Sequence, residues 1–121
     1  MRRRVWERYA AALAEWAKEH GVQMPFVPEH CQQPYHMFYM LFPTLDDRQD
    51  AIAWLRSRDI YAVFHYLPLN ASLMGARFGA REGDCPVTES VSDRLLRLPF
   101  YNSLGDDDQD RVIDALLSWR R

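Results

Sequence analysis

Two short runs of aromatic and apolar residues constrain the fold of this chain more than any other feature. The first, HMFYMLF at residues 36–42, is apolar at nearly every position, and the second, IYAVFHY, begins at Ile60. Aromatic and β-branched residues favour strands, and a run that is apolar at both odd and even positions is typical of a strand covered on both faces. The sequence therefore predicts a small sheet that includes residues 36–42 and 60–64.

Amphipathic segments surround these runs and predict three helices that cover one side of the sheet. The first spans residues 3–19 and is followed by Gly21 as a C-cap. The second begins after Thr44, which has an acidic residue three positions on, as in a capping box. The third, in DDDQDRVIDALLSWRR, has acids in its first turn and arginines in its last, which matches the helix dipole. The side chains expected in the core are Val5, Leu13, Ala51, Ile52, Leu55, Val112, Ile113, Leu116 and Leu117.

The connections between these elements are of two kinds. VQMPFVPEHCQQPY contains three prolines, which exclude a helix and predict an ordered extended segment. LPLNASLMGARFGAREGDCPV is a long glycine-containing connection, and loops of this length are usually functional or mobile. After it, a short helix and a short strand near residues 96–100 are expected. We interpret residues 1–121 as one α+β domain with two layers, helices on one side of a short sheet.

Composition excludes several classes of function. The net charge of −2 gives no general attraction for nucleic acid or for an anionic membrane. No apolar run approaches the roughly 20 residues of a membrane span, and the N-terminus lacks the apolar core of a signal peptide. Two cysteines, Cys31 and Cys85, fit reduced thiols in a cytoplasmic protein.

The basic residues are one lysine, Lys18, and fourteen arginines. A lysine can lose its proton and attack a carbonyl, whereas an arginine stays protonated. Lys18 lies nine positions from Tyr9, which places it on the opposite, solvated face of the first helix. The chain therefore has a single candidate amine, and its position does not suit catalysis.

The remaining polar groups form no recognisable catalytic or metal-binding motif. The four histidines and two cysteines lack the spacing of a metal site, so surface and loop roles are the favoured interpretation. GARFGAREG matches no phosphate-binding fingerprint and is interpreted as a flexible turn. Most arginines are expected on the surface; Arg97, in an apolar context, is a minor candidate for an anion contact.

FHYLPLN, residues 64–70, places His65 and Tyr66 side by side where the second strand is expected to end. An imidazole and a phenol at a strand exit can donate and accept hydrogen bonds to a ligand. Local pattern alone favours a structural role for this pair, so the residues leave both roles open.

Three blocks of the sequence resemble one protein family in order and spacing. RRRVWERYAAALAE, YHMFYMLFPTLDDRQDAIAWLRSRDIYAVFHYLPLNAS and DCPVTESVSDRLLRLPFYNSL resemble the last third of the DegT/DnrJ/EryC1/StrS sugar-nucleotide aminotransferases, which use pyridoxal phosphate (PLP). The resemblance implies the small C-terminal domain of a fold-type I PLP aminotransferase, with a short, mainly antiparallel sheet. The family places its PLP lysine in a preceding large domain, and Lys18 matches no catalytic lysine.

The resemblance also implies partners and site residues. His65, Tyr66 and Asn70 would bind the nucleotide sugar, and Asn70 stands where the family motif HYxPLH has its second histidine. No catalytic, cofactor-binding or metal-binding residue is expected in this chain alone; PLP, the large domain and a homodimer partner belong to the full-length family. Two other interpretations stay open: a binding or interaction module without catalysis, and a truncated remnant that exposes the face where a large domain docked.

Overall fold

The computed structural model describes residues 1–120 and confirms an α+β fold in which helices pack on a short antiparallel sheet. In chain order the elements are α1 (Arg2–Glu19), β1 (Tyr39–Leu41), α2 (Leu45–Arg56), a 3₁₀ helix (Leu69–Ala71), α3 (Leu73–Arg77), α4 (Pro86–Arg94), β2 (Leu95–Arg97) and α5 (Asp106–Leu117). Within residues 1–120, no helix is long and apolar enough to cross a membrane.

The helix ends follow the capping signals in the sequence. After α1, Gly21 adopts a left-handed φ of +66°, and the Val22 N–H donates to the Ala17 carbonyl at 2.8 Å. This is the C-terminal turn that glycine favours, because it has no Cβ to clash there. The Thr44 hydroxyl accepts a hydrogen bond from the Asp47 N–H at 3.1 Å and so caps α2. Three aspartates occupy the first turn of α5.

The predicted C-terminal end of the last helix is only partly tested. α5 ends at Leu117, so Arg120 lies beyond it rather than in its last turn. Its guanidinium still donates to the Leu117 carbonyl at 2.8 Å, so it satisfies one of the free carbonyls at the helix end. Arg121 lies outside the described residues.

The sheet consists of β1 and β2, paired antiparallel with Met40 opposite Leu96. One isolated bridge extends it on each side: Gln23 pairs with Leu41, and Val63 pairs with Arg97. Four extended segments thus lie side by side, of which only the central two form a ladder. The short strand expected near residues 96–100 begins one residue earlier and ends at Arg97.

The predicted strand at residues 60–64 is wrong, because only Val63 pairs. Its N–H and carbonyl bond to Arg97 at 3.1 and 2.7 Å. In the antiparallel register, the next partners would be Tyr61 with Pro99 and His65 with Leu95. Proline has no N–H to donate, and the Leu95 carbonyl faces the Arg48 guanidinium at 3.5 Å. Both features disfavour extension of the ladder beyond Val63.

The first apolar run is covered on one face only, which corrects the expectation of two covered faces. Phe38, Met40 and Phe42 are fully buried against the helices, whereas Tyr39 and Leu41, which point the other way, are half-buried. The strand itself is also shorter than expected, spanning Tyr39–Leu41. The second face of the sheet remains partly open in this chain.

A single apolar core joins α1, α2 and α5 to the sheet, as the sequence predicts. Of the expected core side chains, Val5, Leu13, Ala51, Leu55, Val112, Ile113 and Leu116 are buried. Ile52 is only partly buried, and Leu117 is 38% exposed, so these two expectations are wrong. Both lie at the edge of their helix's apolar stripe, where a turn of about 100° per residue carries the side chain away from the core.

Side-chain hydrogen bonds to backbone groups fix the helices relative to one another. The buried Gln109 amide donates to the Val5 carbonyl at 2.7 Å and joins α5 to α1. The Trp54 indole donates to the Ala115 carbonyl at 2.7 Å and joins α2 to α5. Buried polar groups with partners of this kind specify one helix arrangement, because an unpaired group would cost about 1–3 kcal/mol.

Candidate functional site

His65 and Tyr66 lie just beyond the bridge between Val63 and Arg97, at the edge of the sheet. Their ring centroids are 4.8 Å apart in an edge-to-face arrangement. The Tyr66 carbonyl accepts a hydrogen bond from the Ser92 hydroxyl of α4 at 2.9 Å. The Tyr66 ring is 74% exposed, so its hydroxyl is available to a ligand. The bridge and the Ser92 contact thus fix the backbone of the pair, while the Tyr66 side chain stays exposed.

The His65 imidazole is held in an unusual environment. Its Nδ1 atom is buried and has no hydrogen-bond partner within residues 1–120. Burial lowers the pKa of His65, and the nearby Arg97 and His36 lower it further. Because the ordinary pKa is already about 6.5, the ring is neutral at pH 7 and can both accept and donate a hydrogen bond.

Arg97 is the third member of the group, and the sequence had favoured a surface role for it. Its guanidinium lies over the Tyr66 ring, 5.9 Å from the centroid. Its Nε atom is buried without a hydrogen-bond acceptor in residues 1–120. The sequence offered one signal for this position, an arginine in the otherwise apolar stretch LLRLP. We call His65, Tyr66 and Arg97 the polar edge cluster.

Asn70 is not part of the polar edge cluster. Its side-chain amide donates to the Arg81 carbonyl at 3.0 Å and to Glu89 Oε1 at 2.6 Å. The same carboxylate accepts from the backbone N–H groups of Gly83 and Cys85, at 2.8 and 3.4 Å. The hydrogen bond from Asn70 is the main reason that the pKa of Glu89 is lowered. Asn70 therefore ties the ends of the long connection together, and its predicted role in substrate binding stays a prediction.

Exposed apolar side chains are concentrated in the segment that contains and follows the Val63 bridge. Ten of the fifteen large apolar side chains that the described structure exposes lie within residues 61–87. We call this segment the apolar segment; its members are Tyr61, Val63, Phe64, Tyr66, Leu67, Leu69, Leu73, Met74, Phe78 and Val87. Phe78 and Leu73 are 85% and 91% exposed. Concentrations of this kind mark surfaces that contact another molecule or domain.

The other chemically reactive residues lie apart from one another. Cys31 and Cys85 are free and exposed. Residues 1–120 contain no group of three or more histidine, cysteine, aspartate or glutamate side chains that could hold a metal ion. Lys18 is exposed in the last turn of α1. An amine that forms an imine with PLP has to be enclosed beside the ring, so Lys18 does not fit that role.

Comparison with known proteins identifies the class. The model of the DegT/DnrJ/EryC1/StrS aminotransferase family matches residues 1–117. The dTDP-3-amino-3,4,6-trideoxy-alpha-D-glucose transaminase of Micromonospora megalomicea subsp. nigra is 35% identical over 117 residues, which cover 95% of this chain and 30% of that protein. The chain belongs to the DegT/DnrJ/EryC1/StrS aminotransferase family.

Solved structures agree with this assignment. DesV of S. venezuelae, in complex with a ketimine intermediate, superimposes with a TM-score of 0.86 at 27% identity, covering 98% of this chain and 30% of DesV. The aminotransferase TlmJ of Streptoalloteichus hindustanus gives a TM-score of 0.80 at 27% identity, covering 97% of this chain and 30% of TlmJ. A putative sugar aminotransferase of Streptococcus pneumoniae, Spr1654, solved in a PLP form, shares the fold at 19% identity, with 97% and 30% coverage and a TM-score of 0.84. The chain thus spans about a third of the length of its relatives.

Proposed function

We propose that this chain acts as the small domain of a PLP-dependent sugar-nucleotide transaminase, in which it forms the substrate-side wall and is not catalytic alone. The complete enzyme would transfer an amino group from glutamate to a dTDP-4-keto-6-deoxyhexose in the cytoplasm. The sequence blocks resemble dTDP-4-amino-4,6-dideoxygalactose transaminase of enterobacterial common antigen synthesis, and a relative at 35% identity acts on another dTDP-linked amino sugar. PLP would be held by a large domain, and a second subunit would complete the homodimer.

The apolar segment carries this proposal, because it places a docking surface directly beside the polar edge cluster. Tyr66 belongs to both the apolar segment and the polar edge cluster. The strongly exposed Leu73 and Phe78 lie further along the apolar segment. A second surface is the half-open face of β1, which bears Tyr39 and Leu41. The apolar pattern of the sequence predicts that this face is covered. A large domain seated on these surfaces would bury the apolar side chains and bring the polar cluster to a cleft.

The electrostatics suit ligand contact better than structural support. A structural histidine usually has its buried nitrogen satisfied, yet His65 Nδ1 has no partner within the described residues. Tyr66, mostly exposed, contributes little to the core. His65 and Tyr66 are therefore assigned to substrate binding, with Asn70 as a third contact if the long connection opens on docking.

The interior favours a stably folded domain over a remnant of poor stability. Leu13, Phe38, Met40, Leu55 and Leu96 are completely buried in one continuous core. A continuous buried core is expected of a stably folded domain, whereas the exposed apolar segment is expected both of a docking domain and of a remnant. A non-catalytic interaction module remains as the second candidate, since it would keep the same core and the same exposed apolar segment.

A chimera tests the proposal. The chain replaces the matching third of the Micromonospora megalomicea transaminase, and amino transfer from glutamate to a dTDP-linked keto sugar is measured. Activity in the chimera, with none in the 121-residue chain, is the expected result. A folded, PLP-loaded chimera without amino transfer would contradict the proposal and favour the interaction module. The matched control carries Phe78→Ser, which removes one exposed apolar contact and should weaken the chimera without affecting the fold of the chain.

A further inference from the structure

Arg97 is the charged member of the polar edge cluster, and its backbone is held firmly in the sheet. It ends β2, where its backbone N–H and carbonyl both bond to Val63, and it lies opposite Tyr39 in the register of the sheet. Its side chain projects from the face of the sheet opposite the fully buried Leu96, because neighbouring residues of a strand point to opposite faces. The half-open face therefore carries a fixed positive charge.

Among the described residues, no acidic side chain pairs with this charge. Within residues 1–120, Arg97 makes no ion pair, whereas Arg4 and Arg8 of α1 both pair with Asp106. The only aromatic contact of its guanidinium in these residues is the Tyr66 ring at 5.9 Å. A guanidinium carries five N–H donors in a planar fork, and its Nε is buried here without an acceptor. Such a group is costly to leave unpaired and is matched by an anion that accepts two parallel hydrogen bonds.

The neighbours of Arg97 are suited to the same ligand. Tyr66 has an exposed ring with a hydroxyl that can donate, and His65 has an unpartnered buried Nδ1. We propose that Arg97 binds an oxyanion of the substrate and that Tyr66 and His65 flank this anion. The inference rests on the proposed function for the source of the anion, which is either the diphosphate of the nucleotide sugar or a carboxylate of the amino donor.

Binding is measured on the full 121-residue chain by NMR of the His65 ring, so that PLP and turnover are not needed. The probes are pyrophosphate, dTDP and glutamate at constant ionic strength set with sodium chloride, which removes general screening. Burial lowers the pKa of His65 most and the Arg97 charge lowers it further; an oxyanion at Arg97 offsets this second cause, so binding should raise that pKa. His36 also contributes to the lowered pKa and is followed in the same spectra.

Substitutions at Arg97 give the decisive comparison. Arg97→Gln should raise the dissociation constant at least tenfold and remove the effect of the anion on His65. Arg97→Lys keeps the charge but loses the fork, and binding should be weaker than in the unaltered chain. The control is Arg111→Gln on the exposed surface of α5, which removes the same charge and should leave binding unchanged. Circular dichroism verifies that each variant is folded.

The outcomes separate this inference from the proposed function. Binding of pyrophosphate and dTDP assigns the phosphate source, and binding of glutamate alone assigns the carboxylate source; either supports the proposal. Equal binding in the unaltered chain and in Arg97→Gln, or no binding of any probe, overturns it. If the chimera is active but the unaltered chain and Arg97→Gln bind the probes equally, the proposed function is supported and the anion subsite is refuted. An inactive chimera combined with Arg97-dependent binding would leave the subsite standing alone.

Discussion

The side-chain amide of Asn70 lies 2.6 Å from a carboxylate oxygen of Glu89, so one hydrogen bond closes the long connection between the sheet edge and α4. The same carboxylate receives the N–H groups of Gly83 and Cys85. Long connections are often mobile, and this one contains only a 3₁₀ turn and the short helix α3 as regular structure. Glu89 is therefore one main source of its order, beside the bond from Asn70 to the Arg81 carbonyl and the bond from the Arg81 N–H to Asp84.

Glu89→Gln should loosen the long connection while the core stays intact. The pKa of Glu89 is lowered, first by the Asn70 hydrogen bond, so the folded state holds the ionised form. The stabilisation is present above the ordinary pKa of about 4.5 and is lost as the pH falls through the lowered value. The amide resonances of Gly83 and Cys85 should report this titration in the unaltered chain and not in the variant. Glu82→Gln, an exposed acid in the same loop, should leave both resonances unchanged.

His65→Ala and Tyr66→Phe should affect substrate use and barely affect stability. In the chimera, losing a hydrogen bond to a buried sugar group should lower kcat/KM. The expected loss of transition-state stabilisation is about 1–3 kcal/mol. In the isolated chain, thermal melts should hardly change, because Tyr66 is mostly exposed and His65 Nδ1 bonds to nothing in residues 1–120. Melts that collapse while the kinetics hold would assign the pair a structural role instead.

Lys18→Arg should leave the chimera fully active. Lys18 is exposed at the end of α1, so PLP is not expected to form a stable imine with it. The 121-residue chain is mixed with PLP, reduced with borohydride and mapped by mass spectrometry. Stoichiometric labelling of Lys18 accompanied by amino transfer from the chain alone would refute both this prediction and the assignment of PLP to a large domain.

Two leucine substitutions should separate the core from the apolar segment. Leu96→Ala, at a fully buried position of β2, should lower the free energy of unfolding by about 2–5 kcal/mol. Leu69→Ala, at a position that is 84% exposed, removes the same atoms and should change the stability of the isolated chain by less than about 0.5 kcal/mol. Urea denaturation measures both. In the chimera, by contrast, the Leu69 substitution should weaken domain docking.

The helices could be predicted from the sequence because their signals are local. The stripe Val5, Tyr9, Leu13 and Trp16 repeats at helical spacing, and Thr44 provides a cap for α2 through its own hydroxyl. The sheet could be predicted only in part. Whether residues 60–64 pair depends on Pro99 and on the Arg48 contact with Leu95, which are distant in sequence and which no periodicity reveals.

For the candidate site too, residues close in sequence could be predicted and contacts between distant residues could not. His65 and Tyr66 are adjacent in the chain, so the sequence singled out the pair, but its role in substrate binding came only from the family resemblance. Arg97 joins them only through the bridge with Val63, and its lack of an acidic partner is visible only in three dimensions. Asn70 was grouped with the pair because the resemblance places it where the motif HYxPLH has its second histidine, yet its amide donates to Glu89, 19 residues further along the chain.

The placement of the tryptophans determines what fluorescence can report. Trp16 and Trp119 are buried with their rings 6.1 Å apart, and Trp6 and Trp54 pack against the same core. None of the four lies on the apolar segment, where Tyr61 and Tyr66 are the aromatic side chains with phenol groups. Indole emission should therefore follow unfolding and stay silent when a second domain docks. A single Tyr61→Trp replacement would give the docking event an optical signal of its own.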